Sequence, residues 1–254
     1  MAAVDKPAPV VLVTGGTRGI GAGIAREFLR SGARVLVCGR REPPALPCVA
    51  GRTASFTQAD VRDPEQAAGT VKKAIDLFGR LDVVVSNAGG SPYADAATAS
   101  PRFHAKVIEL NLVAPLHIAQ AANAVMQAPG GDGSIIMVGS VSGSRPSPGT
   151  AAYGAAKAGL HHLVTSLAIE WGPAVRINCV VPGFVATEAV AEQYGDPLAV
   201  AATVPLRRMA TPEDVAQACL FLASPGAAYV SGTCLTVHGG GEPPAFLSAG
   251  VGSG

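Results

Sequence analysis

Short runs of β-branched and aliphatic residues recur along this chain, and the stretches between them have the length and pattern of helices. Residues 10–14 (VVLVT), 34–38 (RVLVC), 54–58 (ASFTQ), 82–86 (DVVVS), 134–139 (SIIMVG), 175–181 (VRINCVV) and 233–237 (TCLTV) read as strands. Helices are expected over 19–31, 64–78, 101–126, 151–171 and 212–223, the second with Asp63 as N-cap and Pro64 in its first turn. Strands that are apolar on both faces have to be covered on both faces. A strand that returns through a helix then pairs in parallel.

The expected fold class is therefore α/β, a Rossmann-like doubly wound parallel sheet of about seven strands with helices on both faces and right-handed crossovers. A chain of 254 residues, 48% of them hydrophobic, suits one such domain over 1–254. Two segments carry no clear period. In 41-REPPALPCVAGR-52 the prolines discourage a helix, and 188-EAVAEQYGDPLAVAATVPLRR-208 is expected to cover the substrate as a lid. The Gly/Pro/Ser-rich end, about 241–254, reads as coil.

Charge narrows the partners. The net charge is +1 with 15% charged residues, which leaves no basic stripe for nucleic acid and points to a small-molecule substrate. The first apolar run, 10-VVLV-13, is too short for a signal-peptide core or a membrane span, so a cytoplasmic location without membrane contact is expected. Five cysteines (Cys38, Cys48, Cys179, Cys219 and Cys234) are far apart and form no CxxC pair, so they are read as buried, reduced thiols. No metal site is expected.

The first strand runs into 14-TGGTRGIG-21 and straight on into a helix. Glycines at 15, 19 and 21 permit a tight turn and let the backbone approach a pyrophosphate lying on the N–H groups of the helix N-terminus. In this strand–turn–helix setting the loop is read as a dinucleotide site. A site for the unphosphorylated cofactor usually carries Asp or Glu about 20 residues on, bonded to the ribose 2′-OH. Here Gly39 stands at the end of the second strand and Arg40 follows, whose planar fork suits a 2′-phosphate; Arg18 in the loop is a second candidate. NADP(H) is the expected cofactor, with NAD(H) as the alternative.

In 151-AAYGAAKAGL-160, Tyr153 and Lys157 share one face of a helix. A free tyrosine titrates near 10 and is a poor acid–base at neutral pH, but a neighbouring ammonium favours the phenolate. Ser140 ends a strand on the side where open parallel sheets meet their ligands. Hydride delivery to a carbonyl carbon builds charge on oxygen, and these residues can supply the proton and the polarising hydrogen bond that this requires.

These motifs, in this order, resemble those of the short-chain dehydrogenase/reductase family, and the resemblance runs from about Pro9 to Gly240. Its TGxxxGxG pattern is met by Thr14, Gly15, Gly19 and Gly21, its NNAG by 86-SNAG-89 with Ser86 in place of the first Asn, and its YxxxK by Tyr153 and Lys157. The resemblance implies Asn111, Ser140, Tyr153 and Lys157 as the catalytic set, Asn111 acting through a water that links Lys157 to solvent. It implies cofactor contacts from Thr14, Gly15, Thr17, Arg18, Gly19, Ile20 and Gly21, from Arg40, and from Asp60 and Val61 beside the adenine. It adds Asn87, Ala88 and Gly89 along the ribose, Tyr153 and Lys157, and Pro182, Gly183, Val185 and Thr187 at the nicotinamide amide. A homotetramer or dimer that uses the two long helices is implied as well.

The chain departs from that pattern at 43-PPALP-47, where a short loop is expected in place of the usual third helix, and at 237-VHGG-240, where His238 stands for a frequent Asp. His161, His162 and His238 are read as packing residues, and Met137 and Trp171 as core. No Lys or Arg lies between Arg176 and Arg207, while Phe184, Val185, Val190, Tyr194, Leu198 and Val204 are apolar or aromatic. With Ser140, Ser142, Phe184 and Tyr194 as substrate candidates, an uncharged, fairly hydrophobic ketone or alcohol is expected. Residues 107–144 also lack Lys and Arg, which argues against docking of an acidic acyl carrier protein. The expected activity is hydride transfer between NADP(H) and a carbonyl or secondary alcohol. The alternatives are a 3-oxoacyl-thioester reductase of the same family and a dinucleotide-binding regulatory or scaffold protein without catalysis.

Overall fold

The computed structural model describes residues 7–127, 132–188 and 196–243. In chain order the strands are β1 (Val10–Thr14), β2 (Arg34–Gly39), β3 (Cys48–Val49), β4 (Arg52–Thr53), β5 (Ser55–Gln58), β6 (Val83–Ser86), β7 (Gly133–Val138), β8 (Val175–Pro182) and β9 (Cys234–Val237). The helices are α1 (Gly19–Arg30), α2 (Pro64–Phe78), α3 (Pro101–Ile108), α4 (Ala114–Met126), α5 (Ala151–Trp171), α6 (Pro197–Thr203) and α7 (Pro212–Ala223).

Seven strands form one parallel sheet in the order β5-β2-β1-β6-β7-β8-β9, as the doubly apolar runs require. Along β1 the side chains alternate between two cores. Val11 and Val13 pack with Ile24 and Phe28 of α1 and Val215 and Leu222 of α7. Val10 and Leu12 face the other core, built with Val71 of α2, Ile118 of α4 and Leu160 of α5. The chain order reverses between β1 and β6, so the crevice for a ligand opens at the carboxyl ends of these two strands.

Local chemistry sets the helix ends. The Asp63 carboxylate accepts from the N–H groups of Glu65 and Gln66 at the start of α2, and Thr211 forms a reciprocal capping box with Asp214 at the start of α7. The expected helix over 101–126 is continuous but contains a π-helical turn at Glu109–Val113. Residues 41–52, in which no helix is expected and a short loop only over 43–47, contain part of a small antiparallel hairpin, β3 with β4, which turns through Ala50 and Gly51 at positive φ. The irregular 188–208 contains α6, capped by Asp196. One expectation is corrected: all five cysteines are free, but only Cys38, Cys179 and Cys219 are buried. Cys48 lies in the hairpin and Cys234 on the edge strand β9, and both are exposed. Among the described residues no helix is long and apolar enough to cross a membrane.

Candidate active site

The loop after β1 is a cradle shaped by what its residues lack. Its first amide, Gly15 N–H, donates to Cys38 O at 2.9 Å and ties the loop to β2. A Cβ on Gly21 would stand 2.2 Å from Gly15 O and 2.5 Å from Asn87 Nδ2, so no larger residue fits there. Gly19 has φ +51, and a Cβ there would meet only Thr187, with Cγ2 at 3.6 Å. The N-terminus of α1 carries no side-chain cap and no acid in its first turn, and its Ncap, Arg18, is exposed. Uncapped amides and the helix dipole make this end attractive to phosphate oxygens. Gly16, which the sequence pattern had not singled out, is equally constrained: a Cβ would lie 2.6 Å from Val37 Cγ1.

At the end of β2, Gly39 faces Thr17, whose Oγ1 is 3.5 Å from the position of a Cβ. Gln58 donates to Arg40 O at 3.1 Å and so holds the backbone of the arginine at this rim. Asp60 is engaged by Arg62, whose Nε donates to both carboxylate oxygens at 2.9 and 3.1 Å. Those hydrogen bonds hold the Asp60 carboxyl below its ordinary range, and the charge of Arg40 acts in the same direction. Val61 is buried. Arg40 and Arg62 thus lie beside one partnered acid; Arg62, two residues after Asp60, was not among the expected residues.

At the sheet reversal, Thr14 Oγ1 accepts from the N–H groups of both Asn87 and Ala88 at 3.0 Å. Asn87 Nδ2 in return donates to Thr14 O at 3.0 Å and Gly15 O at 3.2 Å. A latch between the ends of β1 and β6 thus fixes 87–89 against the glycine loop. A Cβ on Gly89 would be 2.8 Å from Asn111 Oδ1 and 3.4 Å from Lys157 Nζ, which puts three distant segments around one backbone position.

Asn111 lies in the π turn and is fully buried. Its Nδ2 donates to Val107 O and Gly90 O, each at 2.9 Å, and its Oδ1 accepts from Gly90 N at 2.9 Å. The side chain therefore clamps the segment after β6. Both amide hydrogens are used, and Oδ1 keeps one lone pair beyond the bond from Gly90 N.

Lys157 is buried, and its Nζ donates to Val138 O at 2.7 Å and stands 5.6 Å from the Tyr153 ring centroid. Burial lowers its pKa from 10.5 to about 8. Ser140 follows β7, and its Oγ accepts from Ser142 N at 3.1 Å. The turn after Ser140 lies directly on α5. A Cβ on Gly143 would be 2.7 Å from Lys157 C, and one on Gly154 would be 2.8 Å from Ser142 O. His161, one turn beyond Lys157, accepts weakly from Ser140 N at 3.5 Å, and burial and the Lys157 charge both lower its pKa. It packs beneath the turn after Ser140, as expected.

After β8, Pro182 is buried, Gly183 packs on His238, and buried Val185 pairs with Ala210 in an isolated bridge. Thr187 reaches Gly19 and closes the ring of segments around the crevice. Phe184 is partly buried beside Arg145. Tyr194, expected at the substrate, lies outside the described residues, as does Val190. No group of three or more His, Cys, Asp or Glu that could hold a metal occurs among the described residues.

Comparison with known proteins places this arrangement in context. A family model described as enoyl-(acyl carrier protein) reductase matches residues 15–242. The chain is 36% identical to the 3-oxoacyl-(acyl-carrier-protein) reductase of Chlamydia muridarum, covering 90% of this chain and 95% of that one. A solved short-chain dehydrogenase/reductase family protein is 38% identical, with a TM-score of 0.81 over 92% of this chain and 97% of its own. ElxO, solved with NADP bound, is 29% identical with a TM-score of 0.85, covering 95% of this chain and 99% of that one.

Proposed function

The chain belongs to the short-chain dehydrogenase/reductase family, and from that membership we propose that it is an NADP(H)-dependent oxidoreductase of uncharged, fairly hydrophobic ketones and secondary alcohols. The observation that carries the reading is Lys157, an ammonium buried beside the Tyr153 ring and under the loop of Ser140. A buried lysine in an alanine- and glycine-rich helix disfavours folding, and proton transfer at the neighbouring phenol accounts for its presence.

The cradle fits a dinucleotide: glycines at 15, 16 and 21 let the loop close against 87–88 and β2, a Cβ on Gly19 would stand in nearly open space, and α1 offers uncapped amides. In this reading Thr14, Gly15, Thr17, Arg18, Gly19, Ile20 and Gly21 hold the pyrophosphate, and Asp60 and Val61 flank the adenine. Asn87, Ala88, Gly89 and Lys157 hold the ribose, and Pro182, Gly183, Val185 and Thr187 the nicotinamide. When bound, the nicotinamide supplies the hydride, or receives it in the reverse direction. Ser140 Oγ accepts from Ser142 N, which leaves its own hydrogen to donate to the substrate oxygen. The Tyr153 hydroxyl gives its proton to that oxygen in reduction and takes it back in oxidation. Lys157 spends one N–H on Val138 O and keeps two for the ribose and the phenol, while its charge favours the phenolate. Asn111 keeps the 87–90 segment in place through Gly90.

Gly39 in place of an acid, with Arg40 following it and Arg18 at the start of α1, supports NADP(H) over NAD(H). A 3-oxoacyl-thioester substrate is the second reading, supported by the name of the Chlamydia relative. Against carrier docking, Arg145 is already paired with Glu242. A single domain, a cytoplasmic location and a homotetramer or dimer belong to the same proposal. Exposed Ile108, Val113 and Val125 around the long helix, and Ile169 on α5, support the oligomer.

Fluorescence titration tests the cofactor assignment: NADPH should bind at least tenfold tighter than NADH, with Arg40→Ala removing most of the difference. Tyr153→Phe should bind NADPH and reduce no ketone. Equal binding of both cofactors refutes the NADP(H) preference, and turnover by Tyr153→Phe refutes the role of the phenol.

A further inference from the structure

Beside the catalytic serine lies a recess of about 250 Å³. Val141, which follows Ser140, forms one wall, and Phe184, Val204 and Pro243 form the apolar remainder. Arg145 and Glu242 stand in this lining as a cation and an anion, with the imidazole of His238 beside them. The Arg145 Nη2 donates to Glu242 Oε1 at 2.7 Å, and its Nη1 donates to Pro146 O at 3.1 Å. The guanidinium carbon lies 5.9 Å from the centroid of Phe184. Arg145 Nε is buried without an acceptor among the described residues, so the arginine gives up one hydrogen bond to hold this pose.

The carboxylate comes from far along the chain. After β9 the backbone turns through Gly239, Gly240 and Gly241, all at positive φ, and carries Glu242 across the recess to Arg145. With side-chain exposures of 35% and 32%, the pair is partly withdrawn from water. Charge there is screened less than on an open surface.

We propose that Arg145 and Glu242 form the charge filter of the substrate pocket. Glu242 occupies the guanidinium, so the pair carries no net charge and the recess accepts an apolar substituent, while a carboxylate-bearing ketone meets the Glu242 carboxylate instead of Arg145. Specificity here comes from an intramolecular repulsive element as well as from apolar walls. This inference rests on the oxidoreductase reading and identifies the residues that set its substrate class.

The test compares two ketones of the same apolar skeleton, one ending in a methyl ester and one in a free carboxylate, with NADPH at pH 7.5. The ratio of kcat/KM for acid to that for ester is measured in the wild type, in Glu242→Gln and in Arg145→Gln/Glu242→Gln. The wild type should prefer the ester. Glu242→Gln should raise the ratio at least fivefold, the gain should shrink in high salt, and the double variant should lose it. A rise below fivefold in Glu242→Gln, or an equal rise in the double variant, overturns the filter while leaving the oxidoreductase intact. Turnover of neither ketone by any of the three proteins overturns both readings. Circular dichroism melts check that the variants fold.

Discussion

Replacing Lys157 with Met should uncouple the stability of the protein from pH above neutrality. In the folded protein burial lowers the Lys157 pKa from 10.5 to about 8. Below about 8 the ammonium is charged in both folded and unfolded chains, and its burial penalty is fully present. Between about 8 and 10.5 the folded chain releases the proton while the unfolded chain keeps it, so stability rises with pH. At 1.36 kcal/mol per pKa unit, the rise between about pH 7 and 9.5 comes to about 2 kcal/mol.

Methionine fills similar space without a charge. It leaves Val138 O unpaired, which shifts stability by an amount that does not depend on pH. Trp171 is the single tryptophan, buried at the end of α5, and its fluorescence reports unfolding of that helix directly. Urea melts of the cofactor-free protein, at fixed protein concentration and with reductant, give the unfolding free energy of each form. The wild type should gain on Lys157→Met by about 2 kcal/mol over that pH range. Other groups that titrate there, such as Cys234, whose pKa is lowered to about 7 by its hydrogen bond with Cys179, are present in both proteins and largely cancel. A difference that stays constant with pH would falsify the idea that the active-site ammonium is held at the expense of stability.

Two further substitutions probe the cradle and the π turn. Gly21→Ala sets a Cβ 2.2 Å from Gly15 O, so the loop must shift; NADPH affinity should fall at least a hundredfold, and urea melts should show about 1–3 kcal/mol of lost stability. Unchanged NADPH affinity would mean that the loop relaxes without consequence. Asn111→Ala strips the partners from Gly90 and Val107 and should destabilise by about 1–3 kcal/mol, with kcat falling more than KM changes. A melt and a kcat both at wild-type values would remove Asn111 from the site's support.

The parallel sheet was legible because its strands are buried on both faces, so composition alone marks them: β1, β6 and β7 are buried at every position. The helix caps were legible where a single side chain sets them, as Asp63 does. Contacts between segments distant in sequence were not. The π turn exists where Asn111 reaches Gly90, 21 residues away, and no local period encodes that reach. Arg145 and Glu242 are 97 residues apart and look like ordinary surface charges until the glycine turn brings them together. The hairpin at 48–53 was hidden for a different reason: its two strands have two residues each, too few to show alternation.

The stretch 151-AAYGAAKAGL-160 shows how misleading a residue-by-residue division into chemistry and filler is. Tyr153 and Lys157 stand out by type, and the alanines and glycines around them look interchangeable. Yet Gly154 lies where a Cβ would meet Ser142 O at 2.8 Å, and at Gly159 one would meet Leu112 Cδ2 at 3.1 Å. Gly143 answers from the other side, where a Cβ would come within 2.7 Å of the α5 backbone. The small residues let the loop after β7 and the helix of the π turn lie directly on α5. That close approach carries Ser140 and Asn111 to the same helix as the phenol and the ammonium. A Gly154→Val variant, with Tyr153, Lys157 and Ser140 all intact, should therefore lose ketone reduction because the Ser142 backbone has to move away. Full activity in that variant would show that the loop has room the geometry does not allow.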